Sequence, residues 1–65
     1  MKTNYQQAKE QLKRIANNAK KAHKTDKPAV NMIINDSAYE LSKVFKLSEY
    51  QYNLLCNYSC ELHQN

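Results

Sequence analysis

The chain of 65 residues contains no glycine, no tryptophan and one proline, Pro28. Glycine supplies the positive φ angles and the close backbone approach that P-loops and dinucleotide-binding loops require, so neither kind of phosphate-binding loop is expected. Because glycine and proline are also the usual residues of tight turns, few β-hairpins can form. The composition therefore predicts an all-α protein.

Long apolar runs are also missing, since the longest are the three-residue runs at 32–34 and 54–56. A membrane-spanning helix needs about 20 apolar residues, and a secretory leader needs a basic segment followed by an apolar one. The sequence thus predicts neither membrane spanning nor secretion. Its two cysteines, Cys56 and Cys60, are four residues apart in one predicted helix, where they are poorly placed to form a disulfide. Two reduced thiols are typical of a cytoplasmic protein.

Three segments show the three-and-four spacing of apolar residues that is typical of amphipathic helices. We predict helices over about residues 4–23, 28–45 and 48–63 of a single domain, residues 1–65. Capping boxes formed by Thr3 with Gln6 and by Ser48 with Gln51 mark the first and third helices, and Pro28 suits the first turn of the second. One small core can hide all three apolar stripes, so the predicted fold is a small three-helix bundle.

The second segment contains the polar run Asn35, Asp36 and Ser37, and Ser37 with Glu40 matches another capping box. Two interpretations follow: one helix that continues through residues 35–37, or two shorter helices that meet there. The apolar spacing persists through the polar run, so we expect one long helix.

The third segment holds three of the five tyrosines and both cysteines. Its apolar residues spread around much of the helix, which predicts that this helix is the most buried one and is packed from more than one side, by its own chain or by a second copy. Tyrosine is typical of such contacts because its ring is apolar and its hydroxyl can stay at the edge. The residues predicted for self-association in a homodimer are Tyr50, Tyr52, Leu54 and Tyr58.

Charge is divided unevenly along the chain. Residues 1–27 carry eight Lys or Arg against two acids, a formal +6, and residues 28–65 carry two against four, a formal −2, which together give the net +4. The basic segment predicts an anionic partner such as nucleic acid, although a solvated lysine surface explains the same residues, and arginine, the usual residue for bidentate phosphate recognition, occurs once. The candidate polyanion-binding residues are Lys9, Lys13, Arg14, Lys20, Lys21, Lys24 and Lys27.

The connection between the second and third helices resembles a helix-turn-helix motif over residues 38–55. Leu41 and Phe45 stand at apolar positions of the first helix, and Leu47 stands in the turn. The resemblance implies DNA binding with the third helix as the recognition helix. Two features depart from the motif: Lys46 stands where a small or left-handed residue is usual, and the early exposed positions of the third helix carry no lysine or arginine.

Cys56, Cys60 and His63 share one face of the third helix and could present three metal ligands, with His23 as a fourth. We nevertheless predict no metal site, because zinc knuckles place their cysteines on a turn and buried cysteine commonly behaves as a small hydrophobic residue. No nucleophile and base are spaced for catalysis, so we expect no enzymatic activity, cofactor or small-molecule substrate. The predicted function is a protein–protein interaction or accessory module, with a nucleic-acid-binding regulator as the alternative.

Overall fold

A computed structural model describes the backbone of residues 1–64 and the side chains of residues 1–63. It contains three helices, α1 (Asn4–Ala22), α2 (Lys27–Val44) and α3 (Glu49–Gln64), and the described part of the chain has no β-strand. Each helix contacts the other two, in a bundle of 35 × 21 × 18 Å. The predicted all-α three-helix bundle is therefore confirmed.

Both predicted capping boxes are present. At the start of α1, Gln6 N donates to Thr3 Oγ1 at 3.1 Å and Thr3 N donates to Gln6 Oε1 at 2.9 Å. Before α3, Gln51 N donates to Ser48 Oγ at 3.2 Å and Ser48 N donates to Gln51 Oε1 at 3.1 Å. Each box satisfies backbone donors that the first turn of a helix leaves without partners.

The second helix runs without interruption from Lys27 to Val44, through residues 35–37. The expectation of one long helix is confirmed, and the alternative of two shorter helices is wrong. Its start lies at Asp26, whose side chain accepts a hydrogen bond from Ala29 N at 3.2 Å, with Pro28 in the first turn. Ser37 lies inside the helix rather than at a new start, because Asp26 and Pro28 already mark the beginning of this segment.

A left-handed residue ends α2. Lys46 has φ 52°, and the carbonyl groups of the last turn are satisfied by Leu47 N donating to Ser42 O at 2.9 Å and by Lys46 N donating to Lys43 O at 3.2 Å. These two bonds form a Schellman motif, in which the left-handed position is usually glycine. In a chain without glycine, a lysine takes this conformation and reverses the chain into α3.

The core is built mainly from small residues of α1 and branched residues of the other two helices. α1 contributes four fully buried residues and α3 three, but α3 leaves the smallest share of its described residues exposed, six of 15 against nine of 18 in α2 and twelve of 19 in α1, as predicted for the most buried helix. Alanine is so small that neighbouring helices cover it completely, whereas the tyrosines of α3 extend beyond their neighbours. The buried apolar residues are Ala8, Leu12, Ala16, Ala19, Val30, Ile34, Ala38, Leu55 and Leu62. Ser59 is buried beside them and donates to Cys56 O at 2.7 Å.

Candidate binding surfaces

Three residues spaced four apart form an apolar stripe along α3. Leu54 and Tyr58 are half-buried, whereas Tyr50 leaves 72% of its surface exposed. Tyr5 of α1 lies beside this stripe: its pKa is raised first by burial and then by the neighbouring Glu61, Tyr58 and Tyr50. We call Tyr5, Tyr50, Leu54 and Tyr58 the tyrosine face.

Charges of opposite sign border the tyrosine face. The Lys9 ammonium of α1 lies 4.7 Å from the centre of the Tyr58 ring, in a cation–π contact. Burial raises the pKa of Tyr58, and the nearby Glu61 carboxylate raises it further. A positive charge of α1 and a negative charge of α3 therefore both lie beside the tyrosine face.

Tyr52 was predicted from the sequence to take part in self-association together with Tyr50, Leu54 and Tyr58. In the structure it lies on the side of α3 that contacts α2. Its ring meets Tyr39 edge-on, with the ring centres 6.3 Å apart and the planes at 73°. A hydrogen bond with the Cys56 thiol is the main cause of its raised pKa. Lys43 lies 4.3 Å from the Tyr39 ring, and a hydrogen bond to Tyr39 raises the pKa of Lys43. The four residues predicted for self-association thus occupy two sides of the bundle.

The cationic residues at the end of α1 line a cavity of about 250 Å³. It lies where α1 ends, α2 begins and α3 ends, so all three helices contribute to it. His23 and His63, which are 40 positions apart in sequence, both line its wall. We call this the basic cavity; its lining residues are Lys20, His23, Lys24, Lys27, Val30, Asn31 and His63.

The other predicted polyanion-binding residues lie elsewhere. Lys13 and Arg14 line an open depression on α1 that also includes Glu10, and Lys21 is exposed in the last turn of the helix. Glu10 Oε1 lies 2.6 Å from Lys2 Nζ in an exposed ion pair, a kind worth little in water. With Lys9 stacked on Tyr58, the seven candidates do not form one continuous site.

The lysines of the helix-turn-helix-like segment lie at the opposite end from the basic cavity. Asn4 Nδ2 donates to Phe45 O at 3.0 Å, which places the end of α2 beside the start of α1. At 1.5 Å per helical residue, Lys43 is about 24 Å along α2 from Lys27. Lys43 and Lys46 therefore do not join the basic cavity on one surface, although Lys46 has the left-handed conformation that the turn of such a motif uses.

The described residues contain no group of three or more His, Cys, Asp or Glu side chains arranged to hold a metal. Cys56 is half-buried and Cys60 is exposed, both as free thiols, while His63 lines the basic cavity. The sequence interpretation missed the contact of Lys9 with Tyr58, the position of Tyr5 near Tyr58, and the lining of one cavity by both histidines. The apolar character of Tyr5 in α1 was the one sequence feature that pointed to the arrangement around Tyr58. No pattern within a few residues of either histidine indicates that both line one cavity.

No protein-family model matches this chain, and comparisons with curated proteins and with solved structures give no match. Among the described residues, no helix combines the length and the apolar character needed to cross a membrane.

Proposed function

We propose that the protein is a non-enzymatic interaction module that self-associates through the tyrosine face. The observation that carries this proposal is Tyr50, which is 72% exposed at the end of a stripe whose other members, Leu54 and Tyr58, are half-buried. Tyrosine is enriched among the residues that dominate binding energy at protein interfaces. Contact with a partner would remove this ring and the outer edges of its neighbours from water, which is favourable in proportion to the apolar area covered.

The charges of opposite sign beside the face favour a second copy of the chain as the partner. In a dimer whose two-fold axis runs parallel to the helices, α1 of each copy lies opposite α3 of the other. Lys9 of one copy would then face Glu61 of the other, and symmetry would repeat this pairing. Complementary charges of this kind fix orientation more than they add affinity.

The cytoplasm is the proposed location, and no cofactor, membrane or small-molecule substrate is part of the proposed function. Two free thiols, one of them on the exposed residue Cys60, support a reducing compartment. The module would act through its surface, with the small core serving to hold the three helices in place.

The test is light scattering after size-exclusion chromatography, over protein concentrations up to the millimolar range. We expect the mass to rise from 7.6 kDa towards twice that value. Tyr50→Ser should keep the protein monomeric, because the exposed side chain supports the interface and not the fold. Met32→Ser is the matched control: Met32 is a large apolar residue of α2, 64% exposed, and its loss should leave dimerisation unchanged.

A monomeric wild-type protein at the highest concentration would refute self-association. Equal dimerisation of the Tyr50→Ser variant would refute the tyrosine face as the interface. Circular dichroism of both variants should match the wild type, which separates loss of binding from loss of folding.

A nucleic-acid-binding regulator is the second candidate, favoured by the left-handed Lys46 between α2 and α3. Binding would depend on the basic residues of α1 and would weaken steeply as salt rises, because lysines displace counterions from the phosphate backbone. Fluorescent duplex and single-stranded DNA and RNA, titrated across a salt series, test this candidate. Salt-sensitive binding that is lost on charge reversal of Lys9, Lys13 and Lys20 would support it, and no binding at low salt would refute it.

A further inference from the structure

We infer that two copies of the chain can exchange α3, by straightening the connection between α2 and α3 so that residues 27–64 become one continuous helix. In such a domain-swapped dimer, α3 of each copy occupies in the other copy the place that it leaves in its own. The inference does not rest on the tyrosine face, because it depends on the connection and reuses the contacts inside the bundle. We call the connection, residues 45–48, the hinge.

Backbone strain in the hinge is the first argument. Lys46 has φ 52°, in the left-handed region, where a Cβ atom crowds the following carbonyl. A continuous helix would return this residue to the right-handed region and remove the crowding. Short hinges under strain favour domain swapping for this reason. Each copy in the swapped dimer would therefore gain the relief of one strained residue.

The residues of the hinge are the second argument, because none of them breaks a helix. They are Phe45, Lys46, Leu47 and Ser48, without the glycine or proline that usually separates two helices. In the turn, Leu47 N donates to Ser42 O, and Lys46 N donates to Lys43 O. In a regular helix each N–H bonds to the carbonyl four positions before it, so these two donors would exchange acceptors. Straightening thus replaces the hydrogen bonds of the turn and does not lose them.

The capping box before α3 would open on straightening. Its two backbone donors, Ser48 N and Gln51 N, now bond to side chains of the box. In a continuous helix both would bond to carbonyls one turn earlier, at residues 44 and 47. The last turn of α2 and the first turn of α3 would then satisfy each other.

The shared register of α2 and α3 is the third argument. Counted as a single helix, positions 34, 38, 41, 45, 48, 52, 55, 59 and 62 follow one another at alternating intervals of four and three. All of them except the hinge residue Ser48 are buried or half-buried. Such alternation keeps one side of a long helix facing a neighbouring helix. Straightening would therefore leave the core residues of α2 and α3 on one side, ready to pack again.

A second copy of the chain is the partner that fits this arrangement. Lys27 at the start of α2 and His63 at the end of α3 line the same cavity, so the two helices run in opposite directions. In the swapped dimer each long helix would lie antiparallel to that of the partner, and α3 would regain its contacts with α1 and α2. The two hinges would cross at the centre, beside Val44, whose side chain is 69% exposed in the monomer. Covering this residue would favour the dimer.

The test is refolding of the full chain from urea at the highest soluble concentration, followed by dilution and light scattering after size-exclusion chromatography. All samples carry Tyr50→Ser, so that contact through the tyrosine face does not contribute to the mass. We expect a species of twice 7.6 kDa that persists after dilution, because α3 must leave the core before the two chains can separate. Protein that has not been unfolded should stay monomeric for the same reason.

Two substitutions of Lys46 should move the exchange in opposite directions. Alanine keeps the strain of the turn and favours a helical hinge, whereas glycine relieves the strain and disfavours the helix. The ratio of dimer to monomer should be at least about tenfold higher for Lys46→Ala than for Lys46→Gly, since both effects act in two hinges. Lys21→Ala is the matched control: it removes the same charge from an exposed residue of α1 and should leave the ratio unchanged.

An intrachain distance identifies the exchange. The Lys46→Ala chain is spin-labelled at Cys60 and at Lys27→Cys, with Cys56→Ser, and is refolded with an excess of unlabelled chain. In a continuous helix residues 27 and 60 are about 50 Å apart, at 1.5 Å per residue. The longest dimension of the folded monomer is 35 Å, so electron paramagnetic resonance distinguishes the two arrangements.

Three results would overturn the inference. Refolded Lys46→Ala protein that is entirely monomeric would show that the hinge does not straighten. A dimer whose intrachain distance stays below 35 Å would show association of intact bundles. Equal ratios for the alanine and glycine variants would contradict the part assigned to strain at Lys46. Circular dichroism of the refolded samples should match the wild type, which separates loss of exchange from loss of folding.

Discussion

Lys46 has the left-handed backbone conformation that glycine most often adopts at the end of a helix. Its φ of 52° belongs to the left-handed region, where the Cβ atom of any residue other than glycine crowds the following carbonyl. The two backbone hydrogen bonds that close α2 depend on this angle. The residue is therefore a point of local strain that the rest of the bundle must compensate.

Replacing Lys46 with glycine should stabilise the protein. Relief of the crowding should raise the free energy of unfolding by roughly 1–2 kcal/mol. The greater conformational freedom of glycine in the unfolded chain should lower it by roughly 0.5–1 kcal/mol, so the net gain is about 0.5–1 kcal/mol. Urea denaturation followed by circular dichroism measures the change. Lys46→Ala is the control, since alanine loses the charge but keeps the strain and should give no such gain. A glycine variant less stable than the alanine variant would contradict this account.

At the scale of the helices, the caps decide where each element begins. Ser48 accepts from Gln51 N and marks the start of α3, while Ser37 matches the same sequence pattern and lies in the interior of α2. A capping box is thus a helix start only where the preceding residues do not already continue a helix. Ser37 does not start a helix, because the helix that begins after Asp26 already continues through residue 37.

The two serines should respond differently to the same substitution. Ser48→Ala should destabilise the protein by about 1 kcal/mol, because the N–H of Gln51 loses its partner at the end of a helix. Ser37→Ala should be neutral or slightly stabilising, since alanine is the better helix former in an interior position. Thermal or urea unfolding of the two variants checks the contrast. An equal loss in both would mean that residue 37 contributes as much as a cap.

At the scale of the whole molecule, the packing of α1 against α3 controls the ionisation of two tyrosines. Burial raises the pKa of Tyr5 and of Tyr58 above the ordinary value of 10.0, and Glu61 raises both further. Both phenols are therefore neutral in the folded protein at pH values where the unfolded chain has begun to lose its protons. Their contribution to stability is complete below pH 10 and is lost as the pH rises through the folded pKa values.

Stability should consequently fall as the pH rises above about 10, and less steeply in a Tyr58→Phe variant. Phenylalanine keeps the ring beside Lys9 but has no proton to lose. Urea midpoints measured from pH 9 to pH 11 give the slope, and adding Tyr5→Phe should flatten it further. Parallel curves for the wild type and both variants would show that these phenols do not link folding to pH.

Local interactions explain why so much of the fold could be predicted. Capping boxes, the Asp26–Pro28 start and the spacing of apolar residues act within about four positions of one another, so they can be read along the chain. On this basis the three helices, the continuity of α2 and the short connection before α3 follow from the sequence alone. Composition and charge likewise determine that the chain lacks glycine-dependent sites and is basic in its first 27 residues.

Only the tertiary structure decides which side of each helix meets which neighbour. The rotation of α3 about its axis places Tyr58 under Lys9 and turns Tyr52 towards Tyr39, and it depends on the summed packing of all three helices. The same packing forms a cavity from three helix ends, and His23 and His63, 40 positions apart in sequence, both line it. No short-range pattern encodes such contacts, because the free energy that selects them comes from burying a shared core.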